Sequence, residues 1–127
     1  MKLVCSMFIA LALVGAPAYA QGKQAPAEVT PSEARAWIQL FGKIVDTVVA
    51  NKDDCEKMAG GVNGIVDANQ RTIAMARDAK ARGKRLPASA QQQMLDGMRR
   101  MVAALDKCGR DEKVGLAFKR IDLGNRG

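Results

Sequence analysis

The sequence predicts an all-α protein, a small antiparallel bundle of three long helices plus a short C-terminal helix, stapled by one disulfide. Apolar residues recur at three- and four-residue steps after residue 30, which is the period of a helix face packed on a core. No segment alternates apolar and polar residues long enough to predict a strand. Two cysteines, Cys55 and Cys108, remain once the N-terminal leader is removed.

The first twenty residues predict a cleaved secretory signal peptide, residues 1–20. A positive start precedes the apolar run Leu3–Val14, and the small residues Ala18 and Ala20 occupy the positions that a signal peptidase reads. The run is too short for a transmembrane span, so we expect no such span in the mature chain. Cys5 lies early in the run and leaves with the leader. The mature protein is therefore expected in the periplasm or secreted, where cysteines oxidise.

The predicted domain covers residues 30–123, after a flexible N-terminus at residues 21–29 and before a tail at residues 124–127. Its first helix begins at a capping box, in which Thr30 is followed by Pro31 at the first helical position and by Glu33. We expect this helix to end near Asn51. Its predicted core face consists of Ala34, Trp37, Ile38, Phe41, Ile44, Val45 and Val48.

The second predicted helix begins at a capping box from Asp53 to Glu56 and ends at Gly83. Glycines at 60, 61 and 64 weaken it by about 1 kcal/mol each. They predict either a bend or a close approach to the bulky Trp37 or Phe41, and a functional hinge is the alternative. The predicted buried face is Cys55, Met58, Ala59, Val62, Ile65, Val66, Asn69, Ile73 and Ala76.

The third predicted helix runs from Ala88 to Lys107, with a capping box from Ser89 to Gln92 and Gly109 as its C-terminal cap. A short fourth helix is expected from Asp111 to about Leu123. One continuous apolar stripe is predicted on the third helix, formed by Met94, Leu95, Met98, Met101, Val102, Leu105 and Cys108.

A disulfide between Cys55 and Cys108 follows from this arrangement. A short turn joins the second and third helices, so they should lie antiparallel, with Cys55 and Cys108 at the end opposite the turn. The closed loop of about 54 residues would stabilise the fold by about 4 kcal/mol at most. The chain has no C-x-x-C motif, so the bond is predicted to be structural. A redox-active pair and intermolecular bonds are the alternatives.

The absence of histidine excludes the commonest catalytic and metal-binding chemistry. Without it there is no imidazole base, no imidazole ligand for zinc or haem and no His-activated nucleophile. Met94, Met98 and Met101 have the spacing for a Cu(I) site, but the same spacing is typical of core packing. We predict no catalytic residue, no metal ligand and no cofactor.

The densest charged segment is basic and carries the functional prediction. Five cations lie within nine positions, where they suit a helix C-terminus or bind an anion. No aromatic residue is nearby to stack on a base, so no specific nucleic-acid partner is expected. The predicted anion-binding residues are Arg77, Lys80, Arg82, Lys84 and Arg85.

These observations favour a non-enzymatic exported binding or structural module with a basic surface. The expected partner is anionic: a membrane, lipopolysaccharide or an acidic glycan. A net charge of +7 would also serve solubility alone. The alternative is a chaperone-like or accessory protein that exposes an apolar helical groove to a client protein. A redox or copper-binding protein is the least favoured reading.

Overall fold

A computed structural model of the chain describes residues 27–121. The predicted leader with Cys5, residues 21–26 and the C-terminal residues 122–127 lie outside this range. The described residues are mostly helical and contain no strand, which confirms the all-α class. Their five helices are α1 (Pro31–Ala50), α2 (Cys55–Ala68), α3 (Gln70–Ala81), α4 (Ala88–Ala104) and α5 (Glu112–Lys119).

Helix α1 is the centre of the fold because its apolar face is the widest. It packs against α2, α3 and α4, while α5 packs against α2. The antiparallel bundle is not confirmed, since α4 packs along α1 rather than along α2 or α3. The buried face of α1 contains Ala34, Trp37, Leu40, Phe41, Ile44, Val45 and Val48.

The direction of α4 follows from its contacts along α1. The indole of Trp37 meets Met94 near the start of both helices. Further along, the carboxylate of Asp46 lies 3.4 Å from the guanidinium of Arg100. The second contact lies further toward the C-terminus of both helices than the first, so α1 and α4 run parallel.

The capping box at the start of α1 is confirmed. The backbone N–H of Glu33 donates to the Thr30 hydroxyl at 3.1 Å, and the Thr30 N–H donates to the Glu33 carboxylate at 3.0 Å. At the start of α2 the cap is Asp54, one residue later than predicted from Asp53, and it accepts from the Lys57 N–H at 3.0 Å.

The second predicted helix is two helices, and the break lies at Asn69 rather than at the glycines. The Asn69 side chain donates to the carbonyl of Ile65 at 2.8 Å, and its backbone N–H bonds to Val66 instead. The Gln70 side chain also donates to the Val66 carbonyl, at 3.0 Å. Side-chain amides thus take the carbonyls that a continuous helix would use for its own backbone.

Two glycines mark close helix contacts, and neither contact is the predicted one. A Cβ on Gly61 would lie 2.6 Å from the Thr47 methyl of α1, whereas Gly60 and Gly64 have open space. Phe41 packs on α4 instead, where a Cβ on Gly97 would lie 2.6 Å from the ring. Helix α2 continues through its glycines because they face solvent or a small threonine side chain.

Both predicted caps of α4 are wrong. The helix begins at Ala88, one residue before Ser89, so its N-cap is Pro87, which offers no side-chain acceptor. It ends at Ala104 with Leu105 as its C-cap. Gly109 lies in the following turn, where its N–H donates to the Leu105 carbonyl at 2.8 Å.

The disulfide between Cys55 and Cys108 is confirmed, with a Cα–Cα distance of 5.3 Å. It joins the first turn of α2 to the turn after α4. Cys108 is fully buried, and Met58 and Val114 beside it in the core are equally inaccessible. The bond therefore closes one end of a packed core.

Candidate anion-binding cleft

The basic segment ends α3 in a fixed turn. Gly83 has a φ of +71°, the left-handed conformation that favours glycine. Its N–H donates to the Lys80 carbonyl at 3.0 Å, and the Lys84 N–H donates to the Ala79 carbonyl at 2.9 Å. These two bonds form a Schellman motif, which confirms Gly83 as the helix terminator.

The same turn is paired with the start of the described chain. The Val29 N–H donates to the Arg85 carbonyl at 2.9 Å, and the Arg85 N–H donates to the Ala27 carbonyl at 2.8 Å. Val29 is buried beside Ala34 and Ala90. Residues 27–29 belong to the stretch predicted to be flexible. That prediction is wrong for these residues, because the bonds to Arg85 fix them to the turn.

A cleft opens between α3 and α4 because the two helices pack on α1 without packing on each other. Its volume is about 340 Å³, within the range typical of small-molecule sites. Trp37 of α1 lines it. The remaining apolar lining comes from α3, α4 and the two paired segments: Val29, Met75, Ala76, Ala79, Leu86 and Met94.

Three of the five predicted cations line this cleft, Lys80, Lys84 and Arg85. Lys80 and Arg85 are exposed and Lys84 is half-buried, so we call the side of the cleft that they form its mouth. Glu33 and Gln91 also line the cleft, and each makes a hydrogen bond to backbone. The Glu33 carboxylate accepts from Thr30 at 3.0 Å, and the Gln91 amide donates to the Leu86 carbonyl at 2.7 Å. Cations therefore outnumber the single carboxylate at the mouth, which favours an anionic ligand.

The other two predicted cations are directed elsewhere. The Arg77 guanidinium donates to the Arg120 carbonyl at 2.6 Å, which ties α3 to the end of α5. Arg82 forms an ion pair with Asp78 at 3.1 Å, one helical turn earlier. The structure thus brings together three of the five residues, because a helix distributes a basic run around its circumference.

The apolar part of the cleft is the feature that the sequence analysis missed. Met75 and Ala79 lie one turn apart on α3 and extend its apolar face past Ala76. The sequence predicts Met94 in the core, but it also lines the cleft, and its sulfur accepts a hydrogen bond from the Trp37 N–H at 3.2 Å. The four-residue spacing of Met75 and Ala79, about one helical turn, is the signal in the sequence that could have predicted this apolar face.

The predicted single stripe of α4 is wrong, because it contains two rows of residues. Met94, Met101, Leu105 and Cys108 face the core. Among residues 27–121, α1 is the only helix that packs on α4, so the second row stays outside. This row consists of Leu95, Met98 and Val102, whose exposed fractions are 52%, 42% and 64% in that order.

No group of three or more acidic or cysteine side chains within residues 27–121 is arranged to hold a metal. The methionines considered for copper also differ in their surroundings. Met94 bonds to Trp37, Met98 is exposed and Met101 is buried. The spacing of these residues along α4 does not gather the three side chains into one environment.

Comparisons with protein-family models, with curated proteins and with solved structures find no match for this chain. Across residues 27–121, no helix has the length and hydropathy that crossing a membrane requires.

Proposed function

We propose that this chain is a non-enzymatic, exported binding module that holds an anionic partner at the mouth of the cleft. The observation that carries the proposal is the convergence of Lys80, Lys84 and Arg85 on one apolar cleft. The partner classes that suit these cations are a membrane, lipopolysaccharide or an acidic glycan. The turn is held by backbone bonds, so its backbone needs little ordering when a partner binds.

The interaction is electrostatic in origin, which sets how it should depend on salt. Arg85 is exposed and Lys84 is half-buried. Charges in such positions are screened over about 10 Å at 0.1 M salt. Binding to an anionic surface should therefore weaken steeply as ionic strength rises.

The test is retention on vesicles of anionic phospholipid. The double variant Lys84→Glu/Arg85→Glu should lose most of its retention, because two attractive charges become repulsive. The control is Lys43→Glu/Lys57→Glu, which makes the same change in net charge at exposed positions of α1 and α2 outside the cleft. Equal retention of both variants would contradict a site at the mouth and leave only a general charge effect.

Export has its own test. Cleavage after Ala20 should give a mature chain that begins at Gln21. Mass spectrometry of protein from the native host measures this directly. An intact leader on the folded protein would contradict export.

A second candidate function is a chaperone-like or accessory role. It is supported by the exposed row of α4, in which Leu95, Met98 and Val102 form a shallow apolar groove with Ala103 and Arg99. The occupant would be the apolar face of a client helix.

Binding of a hydrophobic dye tests this candidate. The variant Leu95→Gln/Val102→Gln should bind less dye than the wild-type protein, whereas Leu116→Gln should bind as much. Leu116 is the control because it is an apolar side chain 56% exposed on α5. Equal dye binding by all three proteins would contradict a role for this groove.

A further inference from the structure

We infer that the cleft between α3 and α4 binds a single-chain amphiphile, one aliphatic chain that carries an anionic carboxylate or phosphate head. The inference deepens the proposed function and rests on it, because the same cations at the mouth would hold the head. It adds a ligand class and assigns the apolar interior of the cleft to the chain.

The interior suits an aliphatic chain better than a polar ligand. Its lining side chains are apolar apart from the three cations of the mouth, Glu33 and Gln91. The indole N–H of Trp37 already bonds to the Met94 sulfur, and the Glu33 and Gln91 side chains bond to backbone groups. Hydroxyl or amide groups of a ligand would lose their water and gain few partners here, whereas methylene groups have none to lose. Met75 and Met94 can adapt their flexible side chains to a chain's shape.

The mouth suits an anionic head. Arg85 offers a planar guanidinium that binds a carboxylate or phosphate through two parallel hydrogen bonds. Lys84 is half-buried at the cleft, so its aliphatic stem covers apolar surface while its ammonium group reaches the head. The charge at the mouth disfavours a cationic amphiphile with the same chain.

The size of the cleft limits the ligand to one chain. A volume of about 340 Å³ is near the lower end of the range for small-molecule sites, about 300–1,000 Å³. Residues 27–29 pair with Arg85, and Val29, Arg85 and Leu86 of these paired segments line the cleft. One short aliphatic chain fits this space, whereas a lipid with two long chains does not.

Trp37 gives a direct readout, since it is the only tryptophan of the chain and lines the cleft. The probe is ω-bromododecanoate, because bromine quenches indole fluorescence at contact. We expect saturable quenching that unlabelled dodecanoate or dodecyl phosphate reverses. The better competitor identifies the preferred head. Dodecyltrimethylammonium, with the same chain and the opposite charge, should not compete.

Two variants locate the site. Ala79→Phe places a ring in the cleft and should weaken binding of the probe roughly tenfold or more, the effect of losing one or two kcal/mol of contact. Ala74→Phe is the matched control, because Ala74 is exposed on the same helix and does not line the cleft. Lys84→Gln/Arg85→Gln changes only the mouth and should also weaken binding roughly tenfold, which covers a folding failure of the first variant.

The outcomes separate this inference from the proposed function. Three results would overturn the inference. The quenching does not saturate, dodecyltrimethylammonium reverses it as well as dodecanoate does, or Ala79→Phe and Ala74→Phe bind the probe equally well. If retention on anionic vesicles still falls in Lys84→Glu/Arg85→Glu, the proposed function stands without it. If the wild-type protein shows neither saturable quenching nor retention on anionic vesicles, both the inference and the proposed function are overturned.

Discussion

The two ends of α1 are built differently. Near its C-terminus, Val48 is completely buried together with Met58 and Val62 of α2, and the bond from Cys55 to Cys108 closes that end. Near its N-terminus, Trp37 lines an open cleft. We call these the disulfide end, formed by the C-terminal half of α1 with α2 and α5, and the turn end, formed by the N-terminal half of α1 with α3 and residues 82–87.

The difference separates stability from binding. The disulfide end is held by burial of apolar side chains and by a covalent bond, which resist local opening. At the turn end, backbone hydrogen bonds of Val29, Gly83, Lys84 and Arg85 fix the chain beside a smaller apolar cluster, and the side chains of Lys84 and Arg85 line the cleft. Substitutions at the disulfide end should change unfolding, whereas those at the turn end should change binding.

Loss of the disulfide should have the largest effect on stability. Cys55→Ser/Cys108→Ser frees a loop of 53-residue separation, and we expect about 4 kcal/mol less free energy of unfolding in the chain-entropy model. Denaturant titration measures this, with reduced wild-type protein as the companion sample. An unchanged midpoint after full reduction would show that the disulfide end does not depend on its bond.

A pair of methionines compares the two ends at constant chemistry. Met58 is fully buried at the disulfide end, whereas Met75 is half-buried in the wall of the cleft. Met58→Ala should cost about 3 kcal/mol because a closed core retains the cavity, and Met75→Ala about 1 kcal/mol or less because its site is already open. If the two variants lose similar amounts of free energy of unfolding in thermal or denaturant titrations, the two ends do not differ in packing as proposed.

Gly97 at the α1–α4 contact tests how closely these two helices pack, and Gly64 of α2 is its comparison. Gly97→Ala would place a Cβ 2.6 Å from the Phe41 ring and 3.3 Å from a Val45 methyl, so we expect a loss of about 1–2 kcal/mol from overpacking. Gly64→Ala meets nothing within 4 Å and should gain up to about 1 kcal/mol from helix propensity. If both variants are stabilised, α4 is not held closely against α1.

Equivalent helix caps at the two ends should have similar costs in stability and different effects on binding. Thr30 and Asp111 each accept a backbone N–H in the first turn of their helix. Either change to alanine should cost about 1 kcal/mol. Only Thr30→Ala adjoins Val29 and the basic turn, so only it should also reduce retention on anionic vesicles. Reduced retention in Asp111→Ala would contradict the separation of the two ends.

Local signals predicted features at both ends of the molecule. The core face of α1 and its capping box follow from residue spacing. The bond between Cys55 and Cys108 follows from the expectation of export, which leaves two cysteines to pair, and not from the antiparallel hairpin that was used to place them together. These features depend on near neighbours in sequence or on the one possible pairing of two cysteines. The buried positions of α2, Met58 and Val62 among them, follow from the same periodicity.

The turn end and the outer row of α4 depend on which helices meet, and periodicity does not specify that. The stripe of α4 contains Met94, which faces α1, and Val102, which no helix among residues 27–121 covers. The break at Asn69 arises from two side-chain amides that bond backward to the backbone. The cleft appears only once α3 and α4 are placed on α1 without contact between them.

Hydrogen exchange of the oxidised protein, with and without dodecanoate, tests the separation of the two ends most directly. Without ligand, amides of α2 from Met58 to Val66 should exchange far more slowly than those of α3. Dodecanoate should slow exchange in α3 and in residues 84–86 and leave α2 unchanged. Uniform exchange in the free protein, or slowing confined to α2 and α5, would contradict an architecture with a closed stabilising end and an open binding end.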